Sequence, residues 1–452
     1  TKGLKNPFSS RSTLHPERDL EELTKVLETH GASRSTFYPE RDIASYLAEK
    51  FKHNYQKIPD ATFGVENEMF IPGIPESAAS KIQNELNEKL GIKNKEYSYV
   101  EDNSLSTDAP FATTPIEQVT SILKAPEDIQ RLQSALSILN DWAAFTNPTA
   151  GVHIHTGITQ WRAADCLNAP EEKSKNRFLS EWDQDFPIPL SEKTITPYQL
   201  LFMKQFLVNM VAMQKEFYLV SRKSSYSEPN GPMSENDLDE YYQKVSRARD
   251  YEALLSSTDV DVNDDENARR LNVNLLAYQR HGTIEVRGFT KKNSDHMEVD
   301  PNLPVRDLIF LQDVLIKVLH DTKDILLSGV SPKNTIEVRP SAGLTEIVNE
   351  YVQDVFLLEI IHALGQRNPE QRVKTMAAII EDKDHIASET LQKIRESQAA
   401  LLDGDQLAQH FLAALNRDAQ WEPSSVERSP LKRINSLRSM ADAGLSGQEQ
   451  KP

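Results

Sequence analysis

Apolar and polar positions alternate strictly over residues 61–70, where Phe63, Val65 and Met69 are interleaved with Gly64, Glu66 and Glu68. A period of two is the signature of a half-buried strand. Residues two apart on a strand share a face, so the two carboxylates point to the same side, roughly 6–7 Å apart. The pattern returns twice. Gly151-Val152-His153-Ile154-His155 places two imidazoles on one face of an apolar strand, and Thr283-Ile284-Glu285-Val286-Arg287 does so with a carboxylate and a guanidinium. Three apolar strands, each carrying an i, i+2 pair of metal- or phosphate-competent groups, predict the wall of one site.

The remaining periodicities supply the elements around that wall. Near the start, Pro-Glu-Arg-Asp occurs twice, within 10–20 and again within 33–43, and each copy opens a helical pattern. Residues 77–90 predict a helix closed by Gly91, and 97–100 a strand followed by a turn in which Asn103 suits positive φ. Residues 115–123 predict a third strand carrying Glu117, and 126–145 and 197–220 predict helices, the latter apolar on most sides and hence buried. Polar, proline-bearing 168–195 and cation-bearing 221–232 predict loops, and acidic 259–270 a surface loop. Residues 271–276 and 283–289 predict two strands of a hairpin turning through 279–282. A long helix is expected over 303–327, helical stretches with short breaks to about 417, and a disordered tail beyond Pro423, locally basic over 428–438. The expected organisation is therefore an N-terminal helical segment with a short repeat (1–56), a catalytic domain (57–330), a helical region packed on or beside it (331–420), and a tail (421–452).

Composition narrows the class. The 452 residues can bury a large core, and a net charge of −17 without a long basic stripe argues against nucleic acid as a partner. One cysteine, Cys166, excludes an internal disulfide and a cysteine-rich zinc site. With neither an apolar run of membrane-spanning length nor a secretory signal in a sequence that opens at Thr1, the expectation is a cytoplasmic protein without membrane association. Neither a Gly-x-x-x-x-Gly-Lys-Ser/Thr phosphate loop nor a Gly-x-Ser-x-Gly elbow is present.

The candidate ligands are Glu66, Glu68, Glu117, His153 and Glu285, four carboxylates to one imidazole. That balance favours hard divalent ions, Mg²⁺ or Mn²⁺, holding nucleotide phosphates. Arg287 and Arg222 would neutralise charge on a transferring phosphoryl group.

In their order along the chain, Gly64-Val-Glu-Asn-Glu68, Asp102-Asn-Ser-Leu, Glu117-Gln-Val-Thr, Gly151-Val-His-Ile-His155, Arg222 to Tyr226, Leu271-Asn-Val and Thr283-Ile-Glu-Val-Arg287 resemble the amidoligase family. That family belongs to the carboxylate–amine ligases that include glutamine synthetase and γ-glutamylcysteine synthetase, and the likeness covers about residues 60–320. The resemblance implies an α+β fold, a curved antiparallel half-barrel packed with helices, holding ATP and two or three metal ions on its concave face. It puts Glu66, His153 and Glu285 on one metal and Glu68 and Glu117 on another. His155, Arg287 and Asn272 would lie at the nucleotide, with His155, Arg287 and Arg222 as the catalytic set. Asn67, Asn103, Ala150 and Gly288 depart from the usual pattern, and none of these removes a ligand or a charge.

The expected activity is ATP- and Mg²⁺-dependent ligation of a small-molecule, peptide or protein carboxylate to an amine through an acyl phosphate. A phosphotransferase would keep the metal and arginines without an amine acceptor. A zinc hydrolase would want more metal-binding histidines, and a non-catalytic scaffold would keep the fold alone.

Overall fold

A computed structural model describes residues 39–58, 60–72, 78–91, 97–102, 104–107, 109, 112–147, 149–167, 177–188, 191–218, 220–221, 228–258, 271–289 and 297–365. The strands are β1 (Thr62–Pro72), β2 (Tyr97–Glu101), β3 (Thr113–Thr120), β4 (Phe145–Thr146), β5 (Val152–Gly157), β6 (Phe186–Pro187), β7 (Thr194–Ile195), β8 (Val273–Asn274), β9 (Thr283–Val286) and β10 (Met297–Glu298). The main helices are α1 (Pro39–Tyr55), α2 (Ala78–Leu90), α3 (Pro126–Asp141), α4 (Pro197–Phe217), α5 (Glu235–Arg247), α6 (Tyr251–Ser257), α7 (Leu276–His281), α8 (Leu303–Leu327) and α9 (Leu344–Gly365).

Eight strands form one antiparallel sheet that does not close into a barrel. Its long row runs β2–β3–β1–β5–β9–β8, while β4 and β10 continue from the C-terminal half of β1. β1 is the central strand: residues 66–72 pair with β3 and residues 62–67 with β5. One face is apolar. Val65, Ile154, Ile284 and Val286 are fully buried there, in one core with Phe206 and Leu207 of α4 and Leu308, Phe310 and Leu311 of α8. Alternation in β1 stops after Glu68, because Phe70 stacks on Phe145 at 5.4 Å and, with Leu105 and Ala150, closes the polar face into a small second cluster.

The flanking helices share this core. α1 buries Leu47, Ala48 and Phe51 in it, and α9 buries Val348, Tyr351 and Val355. A partly buried ionic network centred on buried Arg306 ties α1, α8 and α9 together. Arg306 Nε donates to Asp354 Oδ2 at 2.6 Å, and Glu350 pairs with both Arg306 and Lys50. Burial opposes the charge on Arg306, but Asp354 and Glu350 outweigh it and hold the guanidinium protonated. α4 starts where the sequence says it should: Thr196 and Gln199 form a reciprocal capping box, with Pro197 at the first helical position.

Four sequence expectations shift. The helix expected over 126–145 ends at Asp141, and Phe145 enters β4 beside Phe70. The stretch 168–195, expected as loop, holds a helical turn at Arg177–Trp182 and the two-stranded β6–β7 ribbon. The third strand spans Thr113–Thr120, and Leu123 makes only an isolated bridge to Phe63. β8 and β9 do pair antiparallel, yet the connection is the helical turn α7 rather than a tight hairpin. Short β8 and β9 leave the intervening Leu276–His281 free to coil, and Gly282 at φ 73° ends that turn. The first repeat copy, Asn103, Arg222, 259–270, 366–420 and the tail lie outside the described residues. Among the described residues no helix is long and apolar enough to cross a membrane.

Candidate functional site

Register converts three separate sequence patterns into one row. Across the sheet, Glu117 is opposite Glu68, Glu66 opposite His153, and His155 opposite Glu285, which in turn is opposite Asn274. Directly opposed residues on antiparallel strands share a face with their Cβ atoms about 4.5–5.5 Å apart. Five strands thus deliver their polar positions to one basin of about 290 Å³.

His153 is the centre of that basin. Its Nδ1 lies 3.3 Å from Glu66 Oε2 and 3.8 Å from Glu285 Oε1, while Nε2 lies 3.6 Å from Glu68 Oε1. Glu66, His153 and Glu285 form one group of potential ligands, and Glu68, Glu117 and His153 a second. Within each group the ligand atoms lie within 4.8 Å of one another. The two edges of one imidazole therefore face two donor sets. His155 Nε2 is 3.2 Å from Glu66 Oε1, and its Nδ1 is 3.1 Å from Thr283 Oγ1. Glu68 is further fixed by its Oε2 accepting from the Gly151 N–H at 2.8 Å.

The electrostatics report crowding of negative charge. Burial, followed by the nearby Glu66 carboxylate, pushes Glu117 up to about 7. Burial also raises Glu68, against the pull of His153. Glu66 takes the opposite course: burial works to raise it, but hydrogen bonds to His153 and His155 outweigh burial and hold it well below the usual carboxylate range. For both histidines burial disfavours the charged ring, and the surrounding carboxylates outweigh it and raise them. Four carboxylates with two imidazoles and Arg287 carry more negative charge than the cluster itself neutralises. The residues fit a divalent ion, since an oxygen-dominated donor set with an excess of buried carboxylates is what Mg²⁺ or Mn²⁺ requires.

Every expected ligand lies in this basin, together with His155 and Arg287, whose Nε is 3.4 Å from Glu285 Oε1. Asn272 does not line it. That residue is buried beside Gly288, where an added Cβ would meet Asn272 Oδ1 at 2.1 Å and Phe217 Cε1 at 2.7 Å. A side chain at Gly288 has no space here. The asparagine that reaches the basin is Asn274, two residues on, which donates from Nδ2 to Glu285 Oε2 at 2.7 Å. Alternation in Leu271-Asn-Val-Asn-Leu carried that signal equally for both asparagines. The sequence also gives no role to Asp102 and Ser104, or to Arg280 and His281 of α7, which all line the basin. The sequence pattern assigns the two α7 residues to a turn, and the helical coil brings them into the lining of the basin. Asn67, on the opposite face, is buried and starts a chain of hydrogen bonds, donating to Gln118 Oε1 at 3.0 Å while Gln118 donates to Tyr99 Oη at 2.8 Å.

The sequence is matched over residues 59–298, more than half of the chain, by the model of a family described as "Putative amidoligase enzyme". No curated protein matches it. Among solved structures, one titled as a crystal structure of a novel glutamine synthase homolog is similar at 11% identity and a TM-score of 0.32, covering 82% of this chain and 74% of that one. The Plasmodium falciparum glutamine synthetase, solved by electron cryomicroscopy, is similar at 11% identity and a TM-score of 0.31, with 92% and 78% covered.

Proposed function

The chain belongs to the amidoligase family, and on that premise we propose that it joins a carboxylate to an amine with ATP and Mg²⁺ or Mn²⁺. The bond formed is an amide or isopeptide, made through an acyl phosphate. One observation carries this reading beyond the family: His153 stands between two carboxylate groups, Glu66 with Glu285 and Glu68 with Glu117, in a basin also lined by Arg280 and Arg287.

In the proposed reaction a substrate carboxylate oxygen attacks the γ-phosphorus of ATP, the bond to the β,γ-bridging oxygen breaks, and ADP leaves. The amine nitrogen then attacks the acyl carbon, phosphate departs with the bonding pair, and the amine loses a proton. Divalent ions held by the two groups would neutralise phosphate charge. Arg287, in the lining of the basin, would supply a cation for the charge that develops on the transferring phosphoryl group. Glu285 pairs with it, Oε1 lying 3.4 Å from Arg287 Nε. Arg280 brings a second guanidinium from α7 to the basin, while Arg222, expected in the same role, lies outside the described residues. His155, hydrogen-bonded to Thr283 and facing Glu66, would orient that carboxylate for an ion or phosphate held in the basin.

The experiment is interception of the acyl phosphate. Enzyme, Mg²⁺, ATP, a panel of carboxylates including glutamate and peptides ending in it, and hydroxylamine should yield a hydroxamate with ADP and phosphate in equal amounts. Arg287→Ala should reduce that turnover by about 10²–10³-fold, the scale for removing one preorganised charge-stabilising group. A stable phosphorylated product without free phosphate would replace the ligase with a phosphotransferase. Silence across the panel would leave a scaffold.

A further inference from the structure

A second cavity, of about 580 Å³, shares no lining residue with the acidic basin. Its walls come from the 177–188 segment, the start of α4, the α5–α6 junction and the loop over 332–336. The surfaces they present are largely apolar: Trp182, Phe186, Ile195, Leu200, Leu201 and Ile336. Lys204 also lines it. Of the charged residues in the lining, only Lys204 is buried, at 7% exposure.

That lysine is under-coordinated. Its Nζ donates to the Ser246 carbonyl at 3.2 Å, and among the described residues no carboxylate lies within 4.0 Å of it. The nearby Asp250 is engaged elsewhere, its Oδ1 capping α6 by accepting from the Ala253 N–H at 2.8 Å. An ammonium has three N–H donors, and burying it with one acceptor is costly. In keeping with this, burial lowers Lys204 to about 8 from the usual lysine value, with Asp250 only partly opposing.

We propose that this cavity is a second ligand site and takes an amphipathic organic carboxylate, with its apolar body against Trp182, Leu200 and Leu201 and its carboxylate on Lys204. The size suits a small organic molecule, and a mostly apolar pocket with one placed charge is the usual construction of such a site. Carboxylate complements the buried ammonium, since a charge-assisted hydrogen bond satisfies the donors that Ser246 leaves over. The other charged residues of the lining, Arg249 and Lys333 with Glu181, Asp250 and Glu252, are exposed or half-buried and of both signs, so the sign of the ligand is set by the buried Lys204.

Calorimetric titration of the full chain, without ATP or metal, tests this independently of the ligase reading. The probes are benzoate, hexanoate, octanoate and 4-phenylbutyrate, each beside its primary amide. At least one acid should bind saturably and at least about tenfold more tightly than its amide, a single charge-assisted contact being worth that much. Lys204→Met, which keeps the side-chain volume, should abolish the acid-over-amide preference while leaving amide binding in place. Leu201→Trp, which fills the cavity, should weaken acid and amide together, and a thermal melt of each variant establishes that it is folded. Absence of saturable binding by every acid, equal binding of acids and amides, or an undiminished preference in folded Lys204→Met would overturn the proposal.

Discussion

Asn274 and Glu285 face each other across β8 and β9, and Asn274 Nδ2 donates to Glu285 Oε2 at 2.7 Å. That bond occupies one carboxylate oxygen and leaves Oε1 turned towards His153 Nδ1 at 3.8 Å and Arg287 Nε at 3.4 Å. Asn274 thereby orients a candidate ligand without being in either candidate group itself. Loss of a residue that orients a metal ligand typically weakens metal binding by about 10–100-fold. Asn274→Ala should weaken Mn²⁺ binding by that order while the unfolding midpoint changes little. Titration with Mn²⁺ followed by electron paramagnetic resonance reads it directly, and unchanged affinity would show that Glu285 holds its position unaided.

Removing a proposed ligand should act more strongly on the nucleotide. In Glu66→Gln and His153→Ala, metal-dependent binding of a non-hydrolysable ATP analogue should fall at least about tenfold, with the fold retained. Both side chains lie on the polar face, whereas the core is carried by Val65, Ile154 and their neighbours. Undiminished metal-dependent binding in both folded variants would remove these residues from the ligand set.

Gly288 tests packing. A methyl group there would sit 2.1 Å from Asn272 Oδ1 and 2.7 Å from Phe217 Cε1, both in buried side chains. Gly288→Ala should cost about 1–3 kcal/mol, the range for overpacking a filled core, measured by denaturant unfolding. Equal stability would mean that Asn272 has room to move aside.

Lys204 makes stability depend on pH with a definite sign. Folded, it releases its proton at about 8, against 10.5 as the ordinary value. Between those values the unfolded chain binds more protons, so stability from this group rises with pH, and the full cost of a buried charge applies below about pH 8. Lys204→Met should therefore stabilise the protein by roughly 1–3 kcal/mol at pH 7. The gain should shrink as pH approaches 10. A gain that stays constant from pH 7 to 10 would show that the lysine does not titrate with folding.

Local pattern and tertiary arrangement divide the credit for this protein along a physical line. Strand alternation determined which side chains share a face: Glu66 with Glu68, His153 with His155, Glu285 with Arg287. Those choices survive any arrangement of the strands, because they follow from backbone pleat alone. Helix ends were equally legible where a Pro, a Gly or a capping box marks them, as at Pro197, Leu327 and Gly91. Strand order was another matter. That Glu66 faces His153 while Glu117 faces Glu68 depends on register between segments dozens of residues apart, and register is decided by long-range pairing and the burial of one whole face. The same reason separates Asn272 from Asn274. Equal in local pattern, they part because Gly288 admits one against the core while Glu285 receives the other. Arg280 and His281 reach the basin only because α7 coils between two short strands. Lys204, unremarkable within an apolar helix, becomes a buried ammonium beside a cavity only when three distant segments close on that helix.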